Sequence, residues 1–426
     1  MPALSDLIEI VRDGGADDRL AALYSETGLP RQRARYAGLL ERLNARCPGR
    51  REAAVFSAPG RTEVGGNHTD HNGGRVLAAA VNLDAIAAAA PREDGIIRLQ
   101  SEGYGESVVD TRQLAPVEEE RGTVAALVRG VCDGLAARGF RIGGFDACVT
   151  SDVLKGSGLS SSAAFEVLTG AILNGLYNHG GVDPIAVAQV GQYAENVYFG
   201  KPCGLMDQTA SSLGGFVTID FRDAARPVVR RVAFDFAAGG HALVIVDTGG
   251  DHADLTPDYA AVRGEMQAVA AALGGQALRD VSEAQALREI PALRAKAGDR
   301  AILRAFHFFE DDRRVTMQAE ALEAGHFDRF LALVIESGRS SWMLLQNCYP
   351  PGNSRAQGVT LALALSERLL GGRGAWRVHG GGFAGTIQAF VPSELLPGYL
   401  AEMRPVFGQG ACHELSVRQA GAVRVL

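Results

Sequence analysis

Lysine is nearly missing from this sequence: Lys155, Lys201 and Lys296 are the only three among 42 basic residues. None of them is followed by Ser or Thr, which excludes the GxxxxGK[ST] loop of Walker-type nucleotide hydrolases. Cysteine is sparse as well, with six residues at 47, 132, 148, 203, 348 and 412 and no CxxC pair. That removes zinc knuckles and thioredoxin-like motifs and fits reduced thiols in a cytosol. Long apolar runs are lacking, because the Ala-rich stretch 77–90 is broken by Asn82 and Asp84. The first residues, Met-Pro-Ala-Leu-Ser-Asp-Leu-Ile-Glu, do not follow the basic-then-apolar plan of a signal peptide. A cytoplasmic protein is therefore expected. Positive charge is not in excess either: a net charge of −7 argues against nucleic acid and anionic membranes as partners.

What is there is globular. The chain has 426 residues, 47% hydrophobic and 21% charged, enough for more than one core. Helical stripes mark residues 1–50, with Leu4, Leu7, Ile8 and Val11 in one and Tyr36, Leu39, Leu40 and Leu43 in another. Strands are expected at 53–57, 76–81, 85–90, 96–101, 145–150, 215–220, 242–247, 375–379 and 386–391. Asp94-Gly95 reads as a hairpin turn joining 85–90 to 96–101. Helices are expected at 123–136, 184–199, 258–273, 283–297, 315–324, 327–337 and 356–370. The mixture argues an α+β fold of two domains with a cleft between them. The expected divisions are an N-terminal helical extension over 1–25, a first domain over 26–222 and a second over 223–426.

The chemistry concentrates in four stretches. In Leu154-Lys155-Gly156-Ser157-Gly158-Leu159-Ser160-Ser161-Ser162-Ala163-Ala164, two glycines allow a close backbone approach and three serines open a helix. A strand, a Gly/Ser loop and a helix N-terminus together make an anion cradle. A Rossmann fingerprint is excluded, since serine stands where the third glycine belongs. Residues 58–74 crowd Arg61, Glu63, Asn67, His68, Asp70, His71 and Asn72 into one loop after a strand. Such a mixture of donors and acceptors suits a polyhydroxylated ligand. His68 and His71 lack the HExxH frame and an evident third ligand, so zinc is disfavoured there. The third stretch is Gly204-Leu205-Met206-Asp207-Gln208, with Glu195 on the helix before it. The fourth is the run Gly380-Gly381-Gly382-Phe383-Ala384-Gly385 between two strands, too permissive for a plain hairpin.

In this order and at these separations the four stretches resemble the GHMP small-molecule kinases, most closely the galactokinase family. Gly60–Gly74 is similar to that family's GRxNxIGEHTDYNxG, and Leu154–Val167 to PxGxGLSSSAxxEV. Pro202–Gln208 matches PCGxMDQ, and Gly380–Gly385 resembles GGGFGG. The resemblance spans roughly residues 50–400 and implies a two-domain GHMP kinase fold with the site in the interdomain cleft. It implies ATP and Mg²⁺ as cofactors and phosphorylation of galactose at its anomeric hydroxyl. By the same resemblance Asp207 and Arg61 are catalytic, and Asn67, His68, Thr69, Asp70, Gly204 and Tyr259 bind the sugar. Ser101, Gly156, Ser157, Gly158, Leu159, Ser160, Ser161 and Ser162 bind the nucleotide, and Ser162 and Glu195 hold the metal. The expected partners are a sugar and ATP, with a monomer or weak homo-oligomer as the assembly.

The departures from the pattern are specific. Asn67 stands for the usual Glu, Glu63 for the usual Asn, Gly65 for Ile and His71 for Tyr. Leu154-Lys155 replaces Pro-Leu, and Ala384 replaces a glycine. Since the family's Glu at position 67 reaches the sugar's primary hydroxyl, the amide is expected to read the C6 substituent. A related sugar such as galacturonate, or a non-catalytic sugar sensor, therefore stands as the alternative.

Overall fold

The structure is a computed structural model and describes residues 1–48, 52–154, 158–250 and 255–426. In chain order it runs α1 (Leu4–Arg12), α2 (Asp17–Tyr24), α3 (Leu29–Arg46), β1 (Ala54–Gly65), β2 (Arg75–Arg92), β3 (Ile96–Ser101) and β4 (Glu106–Asp110). There follow α4 (Val124–Ala136), β5 (Gly144–Ser151), α5 (Ser161–Tyr177), α6 (Pro184–Tyr193), α7 (Met206–Leu213), β6 (Phe216–Asp220), β7 (Val228–Val232) and β8 (His241–Asp247). The remainder is α8 (Thr256–Ala272), α9 (Glu283–Arg288), α10 (Ile290–Lys296), α11 (Asp299–Glu323), α12 (Phe327–Ser340) and α13 (Gly358–Leu370). The chain closes with β9 (Ala375–Val378), β10 (Thr386–Pro392), α14 (Leu396–Phe407), β11 (Cys412–Leu415) and β12 (Val423–Arg424).

Two sheets organise these elements. The larger has the order β12-β1-β2-β5-β3-β4, with β6 also on β2 and β7 on β6. The smaller, β11-β8-β10-β9, is antiparallel throughout. The Ala-rich stretch becomes the centre of β2, where alternate residues face two different cores. Ala85, Ala87 and Ala89 pack with Val167, Leu168 and Ile172 of α5. Ile86, Ala88 and Ala90 pack with Leu4, Leu20, Tyr36 and Leu40 of the first three helices. A strand covered on both faces has room only for small or branched apolar side chains. Residues 1–25 are thus bound into the body of the protein by a buried stripe, each large aliphatic contributing about 1.5–3 kcal/mol.

Several expectations give way to longer-range pairing. The stretches at 76–81 and 85–90 form one 18-residue strand. The 94–95 turn does not join a hairpin, because β5 occupies the edge of β2 and β3 lies parallel to β5 on its far side. A parallel pair needs a crossover, and α4 lies in that connection between β3 and β5. Strand pairing crosses the expected boundary at 222/223: β7 pairs with β6, β12 returns to β1, and Val81 bridges to Val417. The helix expected at 315–324 is 25 residues long. Its middle carries the charged run 310–314, which masks the apolar stripe, yet Asp311, Asp312 and Arg314 are buried partners rather than a solvated face.

Candidate active site

β1 and β2 lose register between Pro59 and Arg61 and again between Glu63 and Gly65. Such irregularities re-aim side chains beside functional sites, and here the strand delivers Arg61 to Asp207. The guanidinium donates to both carboxylate oxygens, Nε to Oδ1 at 2.7 Å and Nη2 to Oδ2 at 2.6 Å. Its Nη1 donates to the carbonyl of Gly158, and the Arg61 N–H donates to the Leu159 carbonyl at 3.0 Å. One arginine therefore ties the carboxylate to the start of the Gly/Ser helix. Asp207 lies in the first turn of α7, where the nearby Ser160 hydroxyl helps to hold its carboxyl down. Burial alone would raise the Asp207 carboxyl; Arg61, by charge and hydrogen bonds, outweighs it and holds that carboxyl below the usual range.

Ser160 caps α5 in the left-handed region at φ 57°, and Gly158 lies at φ 77°. That local reversal leaves Ser161 and Ser162 in the first turn, where they line a cavity of about 700 Å³. Ser101, Tyr104, Leu127 and Phe165 line the same cavity, so an apolar slot opens onto a helix N-terminus. Gly156 and Ser157, expected in the phosphate cradle, lie outside the described residues.

Below this, α6 widens into a π-type turn over Ala194–Phe199 that carries Glu195. Ser162 Oγ donates to Glu195 Oε1 at 3.0 Å, and Lys201 Nζ donates to the same oxygen at 3.2 Å. Gln208 Nε2 bridges two carboxylates, Glu166 at 2.9 Å and Glu195 at 3.2 Å. Burial, reinforced by Glu195, pushes the Glu166 carboxyl well up.

The loop after β1 faces the glycine run after β9. His68, at φ 58°, donates from Nε2 to the Gly381 carbonyl at 2.8 Å, and Tyr259 Oη donates to the Gly382 carbonyl at 2.9 Å. Burial pushes the His68 imidazole down to about 4, against the pull of the Gly381 carbonyl, so the ring is neutral near pH 7. Side chains are excluded at Gly381, where a Cβ would stand 2.5 Å from the Tyr259 ring. On the opposite wall the Asp70 carboxylate lies 3.3 Å from the place a Gly204 Cβ would take.

Comparison with known proteins meets this geometry at the same residues. The galactokinase galactose-binding signature matches residues 44–91, and the GHMP kinase N-terminal domain matches residues 125–215. A curated galactokinase from Streptomyces coelicolor is 36% identical over 345 residues, covering 79% of this chain and 84% of the relative. The chain belongs to the galactokinase family. Its fold is that of the GHMP kinases. The crystal structure of Lactococcus lactis galactokinase complexed with galactose superposes with a TM-score of 0.74 at 23% identity, covering 90% of this chain and 98% of that one. Methanococcus jannaschii mevalonate kinase superposes at 0.61 and 15% identity, covering 87% and 99%.

Against the galactokinase pattern, two expected sugar residues turn inward. Thr69 is wholly buried, and its hydroxyl closes the loop on the Gly66 carbonyl at 2.8 Å. Asn67 is wholly buried too, its amide committed to protein partners on every side. Sequence reading placed both at the ligand because it reports neighbours along the chain, not which side chains of the loop after β1 turn inward. It also missed Lys201 and Gln208 as partners of Glu195. The signal for Lys201 was its rarity, as two of the three lysines flank the motifs.

The oxygen donors of Ser162 and Glu195 suit a hard divalent cation such as Mg²⁺, which takes one or two protein ligands and completes its shell with phosphate and water. Lys201 holds the same carboxylate oxygen from a side chain 63% exposed, free to swing aside. Among the described residues no three His, Cys, Asp or Glu side chains cluster into a metal cage, and no helix is long and apolar enough to cross a membrane.

Proposed function

We propose that this protein transfers the γ-phosphoryl group of ATP to the anomeric hydroxyl of galactose, giving galactose 1-phosphate and ADP in the cytoplasm. The observation that carries the reading is the bidentate Arg61–Asp207 pair joined through Gly158 and Ser160 to the start of α5. Phosphoryl transfer requires positioning and charge stabilisation more than covalent chemistry. Held ionised, Asp207 accepts the hydrogen of the sugar's C1 hydroxyl as that oxygen bonds to the γ-phosphorus. The bond from γ-phosphorus to the bridging oxygen breaks, ADP leaves, and the proton passes from Asp207 to water. Arg61 keeps Asp207 charged and stands where negative charge builds on the moving phosphoryl group. Asp70 accepts from sugar hydroxyls, and neutral His68, its Nε2–H given to Gly381, offers Nδ1 as an acceptor. Ser101 and the 700 Å³ cavity take the nucleoside. Ser162 and Glu195 would hold Mg²⁺, which would supply positive charge to the phosphate oxygens.

The test is ADP release from the purified protein with Mg-ATP and galactose, galactosamine, galacturonate, arabinose or glucose. Turnover highest with galactose, with phosphate on C1 by phosphorus NMR, is the expected result. Turnover confined to another sugar, or none in a folded protein that binds ATP, would overturn the reading.

A further inference from the structure

Two departures from the family pattern, Glu63 for Asn and Asn67 for Glu, read along the chain as separate changes. In space they are one. Asn67 Nδ2 donates to Glu63 Oε1 at 2.8 Å, so the two exchanged positions share a single hydrogen bond in this chain. Both side chains are buried, Glu63 with 7% exposure and Asn67 with none.

The surroundings fit the trade. Arg377, wholly buried on β9, donates to the same Glu63 oxygen at 3.0 Å and to the Val64 carbonyl at 2.7 Å. Burial would push the Glu63 carboxyl upward; Arg377 and Asn67 oppose that rise without cancelling it. The second hydrogen of Asn67 Nδ2 goes to the Gly380 carbonyl at 2.8 Å. Its Oδ1 accepts from Asn347 Nδ2 at 2.8 Å and Ser341 Oγ at 3.3 Å. A side-chain amide has two donors and two acceptor sites, and all four are spent on protein. Asn347 Nδ2 also reaches the Gly381 carbonyl at 3.0 Å, where His68 already donates.

We propose that Glu63 and Asn67 form a single positioning unit, an exchanged acid–amide pair that fastens the glycine run 380–382 to the sugar loop, and that residue 67 makes no contact with the sugar. The unit sets the spacing between the sugar loop and the carbonyls that His68 and Tyr259 hold. Either half reverted alone breaks it. Asn67→Glu puts two carboxylates within one hydrogen bond, and Glu63→Asn leaves Arg377 a buried charge without its anion. Reverting both restores one acid, one amide and a partner for Arg377, though it gives up the donor to Gly380.

The kinetic arm rests on the galactose 1-kinase reading; the stability arm does not. The wild type, both single variants and Glu63→Asn/Asn67→Glu are compared in a double-mutant cycle. Each single variant is expected to raise the KM for galactose about tenfold or more with the KM for ATP little changed, and the double variant to regain about tenfold over the worse single. The ratio of kcat/KM for galactose to that for 6-deoxygalactose is expected to stay constant across all four. A double variant no better than the worse single, or a ratio that moves about tenfold in Asn67→Glu, would overturn the proposal. Thermal melting of the same four proteins reads the pairing even if galactose is not the substrate, and additive losses there would also overturn it. Should a single variant fail to fold, Glu63→Gln, which keeps the Asn67 contact but removes the charge, is expected to fold and raise the galactose KM; an unchanged KM would count against the unit.

Discussion

Asp84 and Asp207 both meet arginine, and what each region does with the pair is opposite. Asp84 is wholly buried and saturated: Arg35 reaches Oδ1 at 2.6 Å and Arg418 reaches Oδ2 at 3.0 Å, where Ser57 and Tyr24 also donate. Those partners come from α2, α3, β1 and the C-terminal segment, so one carboxylate knots the ends of the chain to the large sheet. Asp207 has one bidentate arginine and a serine, with 28% of its side chain exposed. In both, burial raises the carboxyl and arginine outweighs it, leaving both below the usual range. The same ion pair is closed to solvent at Asp84 and leaves one side open at Asp207, the side on which the proposed chemistry depends.

The sharpest way to break the comparison is to remove the fastener. Asp84→Ala leaves Arg418 and Arg35 as buried charges and is expected to lower stability by about 3–5 kcal/mol, read by urea unfolding, with the galactose KM of the remaining folded protein unchanged. Arg61→Gln should act the other way. We expect kcat to fall by about 10²–10³-fold with a small change in unfolding midpoint. It should also move the acid limb of kcat/KM upward, because burial then acts on Asp207 without the arginine. Gln208→Met removes the group that orients Glu195 and is expected to raise the Mg²⁺ concentration for half-maximal rate by about ten- to a hundredfold.

The smallest effect is in pH. Because the folded Asp84 carboxyl sits below its unfolded value of about 3.9, its contribution to stability is complete above that pH. It drains as pH falls through the lower folded value. The difference in unfolding free energy between wild type and Asp84→Asn is therefore expected to stay flat from pH 7 to about 5 and to shrink only in stronger acid.

Much of the site is legible in the sequence, because its residues come in runs whose types already state the chemistry. Gly158–Ser162 does open a helix, and Asp207 of PCGxMDQ does meet Arg61, although Arg61 lies inside β1 rather than in a loop after a strand. What is not legible depends on partners hundreds of residues apart. Asn67 looks like a ligand residue until Asn347, Gly380 and Glu63 enclose it, and nothing in strand 375–378 marks Arg377 as the anchor for Glu63. The fold divides in the same way. The amphipathic stripes of α3, α4 and α5 are local and visible, whereas β7, β12 and the parallel β3–β5 pair are set by sheet edges no local pattern reports. The long helix α11 was hidden by its own charges, of which Asp311 accepts from the Gly66 and Asn67 N–H groups at 3.1 and 2.9 Å.

The most direct test of the account is Asp207→Ala, with turnover on galactose and Mg-ATP measured beside galactose affinity by calorimetry. The account predicts that kcat falls by about 10²–10⁴-fold while the sugar still binds within a few-fold of wild type. An unchanged kcat would contradict it, since the carboxylate that Arg61 holds ionised would then play no part in the transfer.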